Sequence, residues 1–293
     1  MTAAEYSWIE YIAQHPRKCW DFWSLSLNPN VTWQNVEQHP ELPWNHEALS
    51  ANPNITWEIV CNNPQIEWDI GSLTRNPGIT WAVIRTNFGY FMRHSNWASF
   101  ISMNPGITWE DVCSYPDMGW SFRSLSSNPN ISWDIIADNL DKPWNFKVLS
   151  KHPGVTWEAV SSHPDKSWDA KQLSLNPNIT WDMVEANPLY EWDYGSLQIN
   201  PSISWDIIAA HPDIFDRVGI AKNPSITWDI VEENPGKNWT YYFLSENPNV
   251  SWDIVSAHSD KPWDFQQLSR NLMHHHPALA LSRQRALMSY VLK

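Results

Sequence analysis

The chain is poor in cysteine and lacks any apolar run long enough to cross a bilayer. Its three cysteines, Cys19, Cys61 and Cys113, have no short spacing, so we expect a reduced intracellular protein rather than a disulfide-stabilised secreted one. A membrane helix needs about 20 apolar residues in succession, and the first residues lack the basic-then-apolar pattern of a signal peptide. We therefore expect no membrane partner and no secretion.

Basic residues are also scarce. The chain has 19 Lys and Arg against 32 Asp and Glu, a formal net charge of −13, and the basic residues are scattered. Such a chain repels phosphate, so no nucleic-acid partner is expected. Fourteen of the 32 acids follow a Trp, or Phe215 in its place, where a helix would begin, and the helix dipole favours an acid in the first turn. The acidity therefore has a structural explanation.

Recognisable catalytic motifs are missing. The sequence contains no Gly-rich phosphate loop, no nucleophile elbow and no Cys/His pair in a known context. His274, His275 and His276 form the densest group of metal-binding residue types, but adjacent side chains on regular backbone point in different directions. We predict no catalytic residue, no metal, no cofactor and no enzymatic activity.

What the chain has instead is 22 Trp and 22 Pro, placed by a repeat of about 24 residues. Residues 52–75, NPNITWEIVCNNPQIEWDIGSLTR, show one full period. The Trp residues fall into two interleaved series, in which one member is Phe. The A series is Trp8, Trp33, Trp57, Trp81, Trp109, Trp133, Trp157, Trp181, Trp205, Trp228 and Trp252, and the B series is Trp20, Trp44, Trp68, Trp97, Trp120, Trp144, Trp168, Trp192, Phe215, Trp239 and Trp263.

Each half of the repeat has the chemistry of a short helix. In the first half, Thr56 can cap a helix that begins at Trp57, and Pro64 ends it. In the second half, Leu73 supplies an apolar anchor. Two such helices cannot bury their Trp and Leu alone, so neighbouring repeats must stack. We predict an all-α solenoid of about eleven two-helix repeats with the Trp residues in its core, Trp23 and Trp97 being candidates for exposure.

A β-solenoid is the alternative architecture, because Ile-Thr-Trp segments are β-prone and a turn every 12 residues or so would suit it. Segments such as WDIV lack the alternation of apolar and polar residues that a half-buried strand needs. The order of a cap followed by an acid is also specific to helices. The sequence therefore favours helices.

The predicted array covers residues 1–270 and is irregular at residues 82–100 and 213–220. In the first irregular segment aromatic and basic residues replace the usual second half, and the binding candidates there are Tyr90, Phe91, Arg93 and His94. In the second, Phe215 replaces Trp and Ile220 replaces Leu. Residues 271–293 are predicted to form an amphipathic C-terminal capping helix that covers the apolar end of the stack.

The repeated N-P-x-[IV]-[TS]-W-[DE]-[IV]-[IV], with its partner K-P-W-D-F-x-x-L-S, resembles the short Trp-containing repeats of proteins from giant DNA viruses of amoebae. The resemblance covers about residues 8–270. It implies a viral origin, with the protein in the host cytoplasm or the virion, and it carries over no catalytic residue.

Positions that the repeat leaves free are the candidates for function. The segment before each B-series Trp varies most, and we predict that this connector row contacts a protein partner. Its candidate residues are Asp117, Met118, Asp141, Lys142, Asp165, Lys166, Leu189, Tyr190, Lys237 and Lys261. The leading hypothesis is a protein-interaction scaffold in an infected cell. The alternatives are a self-associating structural component of the virion and a glycan-binding protein that uses Phe88, Tyr90, Phe91 and Trp97.

Overall fold

The computed structural model describes residues 8–215 and 218–271. These residues form only helices, turns and connecting segments, with no strand among them. The prediction of an all-α solenoid is confirmed, and the β-solenoid alternative is not supported. Each repeat consists of a first helix (helix A), a connector that ends at the B-series Trp, a second helix (helix B) and a turn.

Helix A begins at the A-series Trp because the preceding Thr or Ser caps it. The Thr56 hydroxyl, for example, accepts a hydrogen bond from the Ile59 N–H, and Glu58 lies in the first turn. Among the described caps of this kind, only Thr180 makes no side-chain bond. The A helices are Trp8–Gln14, Trp33–Gln38, Trp57–Asn62, Trp81–Thr86, Trp109–Ser114, Trp133–Ala137, Trp157–Ser162, Trp181–Ala186, Trp205–Ala210, Trp228–Glu233 and Trp252–Ala257.

Helix B begins two residues after its Trp, so the intervening acid is the cap and not a first-turn residue. The Asp69 carboxylate accepts from the Ser72 N–H at 2.6 Å. The B helices are Phe22–Leu27, His46–Ala51, Ile70–Arg75, Trp97–Met103, Phe122–Leu125, Phe146–Leu149, Ala170–Ser174, Tyr194–Leu197, the 3₁₀ segment Val218–Lys222, Tyr241–Leu244 and Phe265–Leu268. Additional short helices are Phe88–Phe91, Pro212–Phe215 and the 3₁₀ turn Pro116–Met118.

The core follows the repeat. Successive B helices pack directly on each other, and their Leu residues, such as Leu73, are fully buried. All 22 Trp residues lie in the described ranges and none is exposed. The expectation that Trp23 and Trp97 are exposed was wrong, since both are half-buried, and the Trp97 ring packs against Phe88 with centroids 5.3 Å apart. The Trp series is therefore core material throughout.

Repeat four keeps the core pattern with different residues. Phe91, and not Trp97, occupies the place of the B-series Trp. It is fully buried and lies 5.4 Å from Trp57, matching the 5.8 Å between Trp33 and Trp68 one repeat earlier. The extra residues of this repeat lie between Phe91 and helix B, and Ile101 takes the Leu position. In the second irregular segment Phe215 and Ile220 are buried as predicted.

The two ends of the array meet. The Asn28 side-chain amide donates to the carbonyl oxygens of Ser269 and Asn271 at 3.2 and 2.9 Å. The Asp21 N–H donates to the Ser269 hydroxyl at 3.0 Å. Repeat eleven therefore packs on repeat one, and the solenoid closes into a ring instead of running straight. Residues 272–293, which hold nearly all of the predicted capping helix, lie outside the described residues, so that helix stays a prediction.

Candidate interaction surface

A ladder of buried Asn side chains joins successive repeats at the turn after helix B. The Asn76 amide nitrogen donates to the carbonyls of Ser50, Asn52 and Ile55 at 3.0, 2.7 and 3.1 Å, and its oxygen accepts from the Gly78 N–H. The ladder residues are at most 3% exposed: Asn28, Asn52, Asn76, Asn104, Asn128, Asn176, Asn200, Asn223, Asn247 and Asn271. This row is structural, because its polar groups already have partners.

The ladder was not predicted from the sequence, because the Asn-Pro pairs were interpreted only as helix stops. A signal was nevertheless present. The position after helix B holds Asn in every repeat except for His152, whereas the position after helix A varies among Asn, His and Tyr. A requirement for one particular side chain indicates a specific hydrogen-bond geometry, which a helix stop does not need.

His152 replaces Asn in the ladder and keeps one donated and one accepted hydrogen bond. Its Nδ1 accepts from the Gly154 N–H at 3.0 Å, so Nε2, at 3.1 Å from the Asn128 carbonyl oxygen, must carry the proton. Burial lowers the pKa of this imidazole, partly offset by the bond to Asn128. His152 is therefore a neutral structural residue and not a candidate acid or base.

A band of aromatic pairs lies beneath the connectors. In most repeats the A-series ring contacts the B-series ring of the next repeat. The ring centroids of Trp157 and Trp192 lie 5.2 Å apart, and those of Trp109 and Trp144 lie 5.9 Å apart. Connector side chains pack on this band. The Tyr190 ring lies 5.1 Å from Trp157, for example. The connector row thus rests on a rigid aromatic base, a favourable support for a contact surface.

The predicted connector lysines are half-buried and already engaged. Lys142 donates to Asp141 at 2.9 Å, and Lys166 lies 3.0 Å from Asp165. Each ammonium, by its hydrogen bond, holds the pKa of the neighbouring carboxyl below its usual value. The other two connector lysines are engaged as well. The Lys237 ammonium lies 5.2 Å from the centre of the Trp205 ring, and Lys261 forms an ion pair with Asp260 at 3.4 Å.

The acids and the apolar members of the row differ in exposure. Asp117 is exposed, and Met118 is half-buried against the core. Leu189 is 98% exposed, far more than any other large apolar side chain of the described residues. The equivalent place in repeats five, six and seven holds an exposed Asp at positions 117, 141 and 165. One apolar side chain therefore replaces an acid on an otherwise charged edge.

The row also contains a shallow pocket between repeats two and three, with a volume of about 350 Å³. Its apolar wall includes Trp33, Trp44 and Leu42, and its polar wall includes Glu37 and Gln65. This volume is at the small end of the range of roughly 300–1,000 Å³ for ligand sites. The pocket is large enough to receive one side chain of a partner.

The candidates of the irregular repeat pack on neighbouring rings. Phe91 is fully buried, so its assignment to the surface was wrong. Tyr90 packs edge-on against Trp57 at 5.3 Å. Arg93 is exposed and lies over the Tyr90 ring at 5.5 Å, while the half-buried His94 packs on Phe100 at 4.7 Å. Tyr90, Arg93 and His94 therefore each pack on an aromatic ring of this region.

The described residues contain no group of three His, Cys, Asp or Glu residues placed to hold a metal ion, and no helix among them is both long and apolar enough to cross a membrane. The three histidines at positions 274–276 lie outside the described residues. The chain matches no protein-family model, no curated protein and no solved structure.

Proposed function

We propose that this protein is a ring-shaped, non-enzymatic scaffold whose connector row binds a protein partner, in the virus-infected cell that the repeat resemblance implies. The observation that supports the proposal is Leu189. A single exposed apolar residue is ordinary on a protein surface, but this one stands where three successive repeats carry Asp. It also lies beside Tyr190, which is held against Trp157 and Trp192.

The position of Leu189 suits an interface anchor. An apolar side chain on a rigid turn can enter a partner's pocket with little loss of conformational freedom, and a few such residues carry most of the energy of an interface. The neighbouring connectors are rich in exposed Asp paired with Lys, which resembles the polar rim that surrounds an apolar centre. The partner is therefore expected to present an apolar pocket with polar surroundings.

The test is affinity capture from host-cell lysate with Leu189→Asp, compared with the wild-type ring. This substitution installs the residue that repeats five to seven already hold, so folding should be unaffected. Gly236→Asp is the matched control, because Gly236 occupies the same exposed place in repeat ten and an added side chain there meets no neighbouring atom within 4 Å. The proposal predicts that partners recovered by the wild type and by Gly236→Asp are lost, by tenfold or more, with Leu189→Asp.

Equal recovery by all three proteins would contradict the role of Leu189. A glycan array that responds while no protein is recovered would contradict the scaffold itself. The second candidate function is a structural component of the virion made of many copies. The meeting of the two ends of the repeat array favours it, because each end carries a surface that recognises the other.

A further inference from the structure

The contact that closes the ring, here called the joint, has a head and a tail. The head is formed by Lys18, Trp20, Asp21 and Asn28 of repeat one. The tail is formed by Phe265 and residues 269–271 of repeat eleven. No peptide bond connects the two sides, so the joint is held by side-chain and backbone contacts alone.

The joint repeats the contacts of an interior interface between consecutive repeats. Between repeats six and seven, the Asn176 amide donates to the carbonyls of Ser150 and His152 at 2.9 and 3.1 Å. The Asp169 N–H donates to the Ser150 hydroxyl at 2.8 Å. At the joint, Asn28 and Asp21 make the same bonds to repeat eleven. The polar pattern of the joint is therefore that of a native repeat interface.

The aromatic contacts agree as well. Trp20 packs edge-on against Phe265 at 5.0 Å, as Trp168 does against Phe146 at 5.1 Å. Lys18 lies 3.8 Å from the Phe265 ring centre, and Lys166 lies 5.5 Å from that of Phe146. An additional ion pair at the joint joins Arg270 to Asp21 at 3.5 Å.

An interface of this kind is heterologous, because its two surfaces differ and each can bind a copy of the other. We infer that the joint is exchangeable: the tail of one chain can bind the head of a second copy in place of its own. Eleven repeats share one full turn, about 33° each, so a second copy bound through the same contact would occupy the space of the first unless the first ring opens. A small rise spread over its eleven interfaces makes this room and continues the stack as a shallow helix. The partner chemistry is that of this chain's own repeat one.

Closure within one chain competes with exchange. Tethered ends have an effective concentration on the order of millimolar, so the wild-type protein is expected to be a closed monomer at micromolar concentration. Exchange should become dominant when the intramolecular joint is weakened while the intermolecular one is kept. This inference is independent of the partner proposed for Leu189, since Leu189 lies in repeat eight and takes no part in the joint.

A charge swap distinguishes the joint within one chain from the joint between two chains. Asp21→Arg and Arg270→Asp each place like charges across the joint of their own chain. When the two variants are mixed, both possible joints between different chains pair an arginine with an aspartate. The double variant Asp21→Arg/Arg270→Asp restores the pair within one chain and shares the loss of the Asp21 helix cap, so it serves as the control for that loss.

The measurement is mass by light scattering after size exclusion, at low ionic strength and about 100 μM protein. In the equimolar mixture we expect a species of at least twice the 34.1 kDa chain mass. Neither single variant nor the double variant should form it. A second control uses Lys222→Glu and Glu246→Lys, which swap an inter-repeat pair at 2.5 Å inside the covalent array. Their mixture should stay monomeric.

A mixture of the joint variants whose mass equals that of its components would overturn the inference. If either variant fails to fold, exchange is measured by energy transfer between two pools of wild-type chains. One pool carries a donor dye near position 18, and the other carries an acceptor dye near position 270. Energy transfer that rises with concentration after the pools are mixed supports exchange, and its absence up to 1 mM, on the order of the effective concentration, overturns it.

Discussion

The stability of the ring is predicted to depend on single Asn side chains of the ladder, and Asn52→Ala tests this most directly. The Asn52 amide nitrogen faces the carbonyls of Ser26, Asn28 and Val31 at 2.8, 3.0 and 3.1 Å. Its oxygen accepts from the Asn54 N–H at 2.8 Å. The residue is fully buried.

The magnitude follows from these bonds. Two amide hydrogens are shared among three carbonyls and one oxygen accepts, which amounts to about three hydrogen bonds. Each contributes roughly 0.5–1.5 kcal/mol net, and a buried group left without a partner costs about 1–3 kcal/mol. Water entering the space left by the amide recovers part of this loss. We expect the free energy of unfolding to fall by about 2–4 kcal/mol.

The assay is urea unfolding followed by Trp fluorescence, which reports on the whole ring because no Trp is exposed. For an m value of about 3 kcal/mol/M, a loss of 3 kcal/mol moves the midpoint down by about 1 M. The control is Asn62→Ala, at an exposed position of helix Trp57–Asn62, where a change within about 0.5 kcal/mol is expected. Equal midpoints for the two variants would refute the ladder as a source of stability.

Two further predictions concern a buried titrating group and a helix cap. Burial lowers the pKa of His152 in the folded ring, so below about pH 6.5 the unfolded chain binds more protons and stability falls with pH, down to the lowered pKa. His152→Asn should reduce the difference between unfolding midpoints at pH 7.5 and 5.5, and an unchanged difference would exclude this role for the histidine. Thr56 caps its helix through its hydroxyl, whereas Thr180 in the described cap of helix Trp181–Ala186 makes no such bond. Thermal unfolding should therefore show Thr56→Ala to cost about 1 kcal/mol and Thr180→Ala clearly less, and equal losses would contradict the hydrogen-bond explanation.

Closure into a ring has a clear physical benefit. A stack of repeats exposes an apolar face at each end, which open solenoids must cover with capping elements. Here the tail of repeat eleven lies on the head of repeat one, with Phe265 against Trp20 and Lys18 over the Phe265 ring. Each terminal face is thus covered by the other through the ordinary repeat contact.

The candidate site was only partly predictable. The connector row was located from its variability, and the exposure of Leu189 follows from its place in a turn. The engagement of Lys142 and Lys166 with neighbouring acids could not be read from the sequence, because it depends on how each connector rests on the aromatic band. Phe91 was assigned to the surface because alignment on Trp alone gave the core position to Trp97. Only packing against Trp57 shows which ring fills that position.

By itself the sequence determined the local structure. Caps such as Thr56, the stop at Pro64 and the anchor Leu73 act within a few residues, so their positions predict two short helices per repeat. Tertiary structure decided the ladder and the ring. The ladder needs carbonyls from the preceding repeat at distances that only stacking sets. The ring needs a rotation between repeats whose sum over eleven is a full turn, and a small change in each rotation, invisible in any single repeat, would leave Asn28 away from Ser269 and the solenoid open.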